Sequence, residues 1–203
     1  AGTETVAEEK PKAEMSPKCK FTREEVVRAA LDMTREGGAA CVTARAVGAR
    51  LSSSSKVIFS LFQNMEELRE AVIQAAHDLY QAYLKEDMES GQYPAYKGSG
   101  MAYIRFAREE PELFKLLFMR DRSGEIIDQS FEEIKPLIGL IQQGTGLDEQ
   151  EAYLFHLEMW IYVHGIATMI ATAYLDWDWD MISAMLTDAY EGMRSRHLPK
   201  EGS

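Results

Sequence analysis

The chain has 203 residues, 46% of them hydrophobic, 10% aromatic and 27% charged, and carries a net charge of −11. That length suits one domain, or a small one joined to a larger one, and the composition excludes a disordered tail, a collagen-like repeat and a coiled coil. Two cysteines, Cys19 and Cys41, are too few for a disulfide framework and have no metal-binding spacing, so a reduced, cytoplasmic chain is expected.

Residues 1–20 (AGTETVAEEKPKAEMSPKCK) are polar and aperiodic, without the apolar run of a signal peptide, and predict a flexible N-terminal arm. Helical spacing begins at Phe21. Thr22 with Glu25 makes a capping box, Val26, Val27, Ala30, Leu31 and Thr34 share a face, and Gly37-Gly38 stops the run. Thr43 then caps a second short helix, ARAVGARL, and the serine run Ser52 to Ser55 turns the chain into a third, KVIFSLF. Asn64, with Glu67 in the box position, starts a long fourth helix through Leu68, Val72, Ala75, Leu79 and Tyr83 to about Glu89.

SGQYP breaks that helix, and further helices are predicted near 95–110, 111–120, 124–144, 148–175 and 178–196. Pro111, Gly124, the Gly144-Thr145-Gly146 turn and Asp176 separate them. No segment alternates at period two for long enough to be a strand, so the fold class is all-α. The most apolar stretch, Met159 to Leu175, reaches only about 26 Å as a helix, short of a ~30 Å hydrocarbon core. Its flanks are acidic, which predicts a buried helix and no membrane partner.

Charge is unevenly spread. Residues 18–75 hold nine Lys/Arg against seven Asp/Glu, net +2, whereas 76–203 carry net −11. A mildly basic N-terminal unit on an acidic body follows.

Enzyme templates are missing: no phosphate-binding glycine loop, no GxSxG elbow, no HExxH and no Glu-x-x-His. Of the histidines His77, His156, His164 and His197, the nearest two are eight residues apart, poor spacing for a shared metal. No enzyme, cofactor or metal is implied. Three helices joined by short turns over 22–75 form instead a helix-turn-helix candidate, with Gly48 where two helices approach closely.

The run TREEVVRAALDMTREGGAACVTARAVGARLSSSSKVIFSLFQNMEELREAV resembles the DNA-binding domain of the tetracycline-repressor (TetR) family. The likeness lies in AAL at 29–31, the GG before the second helix, Thr43 with Val47-Gly48, Ile58-Phe59 with Phe62, and Met65-Glu66-Glu67-Leu68. Downstream, AYIRFAREEPELFKLLF and WIYVHGIA are similar to the Trp-His-Gly type of effector-binding domain within that family. Three positions depart from the family's pattern. Ser52 stands where a turn glycine is usual, Phe59 where a phosphate-contacting Tyr is usual, and Met65 where Lys is usual. The last two remove phosphate contacts and should weaken DNA binding.

The resemblance implies an N-terminal helix-turn-helix DNA-binding domain over 21–66 and a helical effector-binding and dimerisation domain over 67–198. The third helix would enter the major groove of a palindromic double-stranded operator. Thr43, Arg45, Ser53, Ser54, Ser55, Lys56, Phe59 and Ser60 are the expected DNA-contacting residues. In the body, His156, Trp160 and His164 recur as a stripe, with Phe106, Phe114, Phe118 and Met119 on the preceding helices. A cavity lined by Phe106, Phe114, Phe118, Met119, Trp160 and His164 would hold a small lipophilic or aromatic effector. Apolar residues on nearly all faces of 148–175 predict a homodimer interface there, with Ile166 and Ile170 among the partner-facing residues. The expected function is a transcriptional repressor released by its effector; the alternative is a helical small-molecule-binding protein of the same fold with weak or lost DNA binding.

Overall fold

The computed structural model describes residues 20–123 and 128–197, with side chains described at all of these except 128–131. The arm expected over 1–20 thus lies outside the described residues but for Lys20, as do Cys19 and Gly124. Among the described residues the regular structure is all helical. In order come α1 (Arg23–Gly37), a single 3-10 turn (Ala39–Cys41), α2 (Ala44–Arg50), α3 (Lys56–Leu61), α4 (Met65–Glu89), α5 (Ala95–Glu109), α6 (Pro111–Phe118), α7 (Asp128–Thr145), α8 (Glu149–Ala171) and α9 (Trp179–His197).

Side chains that take up the first free N–H groups set the helix starts. The Thr22 hydroxyl accepts from the Glu25 N–H at 3.2 Å while the Glu25 carboxylate accepts from the Thr22 N–H at 2.8 Å. Asp148 and Glu151 do the same for α8. Thr43 accepts from the Ala46 N–H and Asn64 from the Glu67 N–H. At α4 the reciprocal half of the expected box is not made. The Glu67 carboxylate accepts from the Gln63 N–H (2.6 Å) and from Arg23 (2.8 Å), so it ties α4 back to α1.

The apolar run near 148–175 outlasts its helix. Helix α8 ends at Ala171 because Ala173 takes a left-handed φ of 54°. The Tyr174 N–H then bonds the Met169 carbonyl and the Ala173 N–H the Ile170 carbonyl, the two bonds of a Schellman ending. Helix α8 has the length and apolar composition to cross a membrane, yet 44% of its most apolar window is buried against the rest of the fold.

Val26 and Ala30 of α1, Val47 of α2, Ile58 of α3 and Leu68 of α4 form one buried cluster that runs on into Phe106 and Phe114. Helix α1 packs on both α4 and α6, so the first three helices rest on elements that also build the body. A second cluster joins Ile138 and Ile141 of α7 to Ala152, Phe155 and Met159 of α8.

Ser52 sits between α2 and α3 with φ 51°, where an L side chain costs about 1–2 kcal/mol and glycine costs little. Ser52→Gly relieves that strain but loosens the unfolded chain, for a net gain of about 0.5–1 kcal/mol. The melting temperature is expected to rise by roughly 2 °C. A calorimetric scan showing no rise, or a fall, would contradict the strain.

Candidate nucleic-acid interface and ligand cavity

Helices α2 and α3 meet through backbone. A Cβ added at Gly48 would stand 2.8 Å from the Ser54 carbonyl carbon, 2.9 Å from the Ser55 nitrogen and 3.0 Å from the Ser54 oxygen. Glycine is what lets the serine turn lie against α2. Val47, Val57 and Ile58 point inward, which leaves Lys56, Phe59 and Ser60 on the outer side of α3. Thr43, Arg45 and Ser54 are exposed beside them, with Ser53 and Ser55 half-buried.

The hydroxyls of Ser53, Ser54 and Ser55 make no hydrogen bond among the described residues, and Ser55 does not cap α3. Thr43 and Ser60 are engaged, Thr43 as the α2 cap and Ser60 with the Val57 carbonyl at 2.7 Å. The arginines of this unit are largely neutralised within the chain. Arg50 holds Glu36 through two bonds of 2.6 and 2.8 Å, Arg23 holds Glu67, Arg69 holds Glu66, and Arg35 holds Glu110. Arg45 and Lys56 carry no ion pair among the described residues. Phe59 is 54% exposed, an apolar ring on the outer face with no hydroxyl to offer.

A cavity of about 800 Å³ lies in the body, within the ~300–1,000 Å³ range of small-molecule sites. It is walled by Tyr80 of α4, Tyr96 and Tyr103 of α5, Phe118 of α6, and His156 and Trp160 of α8, with residues of α7 and α9 completing it. Two Tyr–His pairs join α5 to α8: Tyr96 with Nδ1 of His156 at 3.0 Å, and Tyr103 with Nδ1 of His164 at 2.8 Å. Both pairs advance together by about two turns, so the two helices run alongside in the same direction. Trp160 stacks on His164 at 4.9 Å and 16°. The Tyr103, Phe118 and Tyr80 rings pack with centroids 4.8 and 5.2 Å apart.

Of the six effector-contacting residues expected, Phe118 and Trp160 line the cavity. His164 lies one layer behind, holding Tyr103 and Trp160 in place. Phe106 and Phe114 do not line the cavity: both are fully buried in the core, Phe106 against Tyr80 and Tyr83 of α4 and Phe114 against Tyr103 and His164. Met119, just past the end of α6, is exposed outside it. The tyrosines of α4 and α5 were not expected in the wall. Tyr80 lies one residue past the face read for the fourth helix, and Tyr96 and Tyr103 carried no motif of their own. His156 was visible as the first member of the α8 stripe.

Burial favours the neutral forms of the tyrosines and histidines around the cavity. Burial raises the pKa of the Tyr80, Tyr96 and Tyr103 phenols well above the usual range. It lowers His164 and pushes His156 down to about 4. Among the described residues no three His, Cys, Asp or Glu side chains converge to hold a metal.

Residues 97–191 match the family described as the tetracyclin repressor-like C-terminal domain. This stretch is homologous to that domain. It spans α5 to most of α9 and so contains most of the cavity wall. A solved structure from Vibrio parahaemolyticus, described as a proposed transcriptional regulator of the TetR family, has the same all-helical fold: TM-score 0.57 at 14% identity, covering 84% of this chain and 97% of the other. No curated protein matches. The Tyr–His pairs and the aromatic wall, most of which fall inside the matched stretch, are the features able to hold a ligand.

The histidine shift has a consequence for stability. His156 is neutral in the fold with a pKa near 4 and ionises near 6.5 once unfolded. Its contribution is therefore present in full above 6.5 and is lost as pH falls toward 4, by at most about 3 kcal/mol. Melting temperatures between pH 7 and 4.5 are expected to fall less steeply for His156→Gln than for the wild type. Parallel curves would show that His156 protonates freely in the fold.

Proposed function

We propose that the protein is a homodimeric, cytoplasmic, DNA-binding transcriptional regulator and not an enzyme: a repressor released from a palindromic operator by a small lipophilic or aromatic effector. The observation that carries this is the placement of α6. At one end Phe118 lines the cavity; at the other Glu110, its N-cap, accepts from Arg35 of α1 at 2.8 Å. Helix α4 makes a second connection, packing on α1 near its start and giving Tyr80 to the cavity further along. A ligand that favours one setting of α4 and α6 moves the helix-turn-helix units relative to their half-sites. Its leverage is the difference in its affinity for the two settings; about 1–3 kcal/mol changes operator affinity 5–150-fold.

On the operator, α3 lies in the major groove with its N-terminal residues toward the bases. Lys56 and Arg45 meet phosphates, and Ser53 to Ser55 and Thr43 lie beside the backbone or a base edge. The test is Arg45→Ala and Lys56→Ala. Both side chains are exposed and unpaired, so thermal stability is expected to hold while each change weakens DNA binding and flattens the salt slope by roughly one unit. Unchanged affinity in both variants would remove α3 from the DNA.

The second possibility, a ligand-binding protein of this fold that no longer holds DNA, is favoured by the exposed Phe59 ring and the internally paired arginines. Phe59→Tyr with Met65→Lys separates the two. On the repressor scheme the double change tightens an existing interaction with DNA, whereas on the second there is none to tighten.

A further inference from the structure

The aromatic wall is neutral, yet one edge of it is not. Lys97, next to Tyr96 on α5, lines the cavity and gives two of its three N–H donors to hydroxyls of α9, Ser183 at 2.7 Å and Thr187 at 2.8 Å. The ammonium also lies 5.0 Å over the Tyr93 ring. Among the described residues no carboxylate pairs with it. Hydroxyl oxygens hold the head in place without cancelling its charge, and the third donor is unused.

The acids that share the wall do not play that part. Glu191 pairs with Arg194 at 3.4 Å and Glu133 faces His77 at 3.5 Å. Their side chains are 57% and 56% exposed, so water screens them at the mouth. Lys97 sits under two turns before Tyr103 on the same helix, a separation of roughly 9 Å along the axis. Phe118 packs on the Tyr103 ring, and Trp160 lines the cavity between the levels of the two Tyr–His pairs. The other cation of the lining, Arg122, is already engaged, so the cavity has a positive group with an open donor at one side and a stack of neutral rings beside it.

We infer that the effector is an amphipathic organic anion, a carboxylate with an aromatic or lipophilic body, whose head takes the free donor of Lys97 and whose body lies against Tyr103, Phe118 and Trp160. This rests on the cavity being the effector site. Burial lowers the pKa of Lys97, as it does for an ammonium whose countercharge is missing. A carboxylate supplies that countercharge, and a charge-assisted bond of this kind is about twice as strong as a neutral one.

The experiment uses the full chain and three probes of one shape: naphthaleneacetate, naphthaleneethanol and naphthylmethyl-trimethylammonium. Binding is followed by calorimetry and by Trp fluorescence at low and moderate salt. The carboxylate is expected to bind at least about tenfold tighter than the alcohol, with the cation weakest. Lys97→Met should bring the carboxylate down to the affinity of the alcohol while the alcohol is unmoved; Lys97→Arg should keep the preference. Because Lys97 also joins α5 to α9, the unchanged affinity for the alcohol shows that the cavity is intact in Lys97→Met. A preference for the alcohol or the cation, or a carboxylate preference that survives Lys97→Met, overturns the anion assignment and leaves the cavity as an effector site. Failure of all three probes to bind overturns both.

Discussion

Gly48→Ala is expected to lower the melting temperature by about 2–12 °C and to abolish DNA binding. The added methyl group meets only backbone of Ser54 and Ser55, at 2.8 to 3.0 Å, and no side chain can swing aside to admit it. Either the serine turn moves or α2 separates from α3; overpacking of this kind costs about 1–3 kcal/mol, and a chain of this size loses roughly 2–4 °C per kcal/mol. The functional effect is the larger one. Lys56, Phe59 and Ser60 are placed by the contact between the turn and α2, so a shift of a few tenths of an ångström there moves every outward group of α3 together. Calorimetry and a mobility-shift assay on the same preparation check both effects. Ala49→Ser, one position along on the exposed side, is the control and should change neither. Wild-type stability in Gly48→Ala would show that the turn stands further from α2 than the structure places it.

Ile161→Glu is expected to convert a dimer into a monomer. Leu154, Ile161 and Met169 of α8 are large apolar side chains left open to solvent at intervals of two turns, and Ile161 is 60% exposed. Met181 of α9 is exposed as well. Ile166 and Ile170, expected to face the partner, are instead 6% and 9% exposed and belong to the chain's own core, so charges placed there would unfold the body rather than split a dimer. In a two-fold interface Ile161→Glu brings two carboxylates into an apolar seam, each unpaired. A penalty of about 3–5 kcal/mol is expected, a loss of at least about a hundredfold in dimer affinity. Light scattering at micromolar concentration should give twice the chain mass for the wild type and the single-chain mass for the variant. A wild-type monomer would contradict the dimer, and a variant that remains dimeric would place the interface elsewhere.

What the sequence made legible is local. Thr22, Thr43 and Asn64 cap because a short polar side chain ahead of an apolar run has a free N–H to satisfy, whatever the rest of the chain does. Gly48 could be read because two short helices need a gap where they touch. The end of α8 could not, since Leu175 continues the apolar pattern while the left-handed turn at Ala173 stops the helix. The cavity was half legible for a related reason. Phe106, Phe114 and Phe118 look alike in sequence, and only the angle at which α6 meets α1 and α8 decides that Phe114 is core and Phe118 is wall. Lys97 carried no signal of its own; its role comes from Ser183 and Thr187, more than eighty residues away.

Whether α3 reads DNA is tested most directly by selection from a pool of random duplexes at low salt, carried out side by side with the wild type and an Arg45→Ala, Lys56→Ala double variant. An enriched inverted repeat with half-sites about one helical turn apart, ~34–36 Å, recovered by the wild type and lost by the variant, is the predicted result. Recovery of no enriched sequence by the wild type would contradict it.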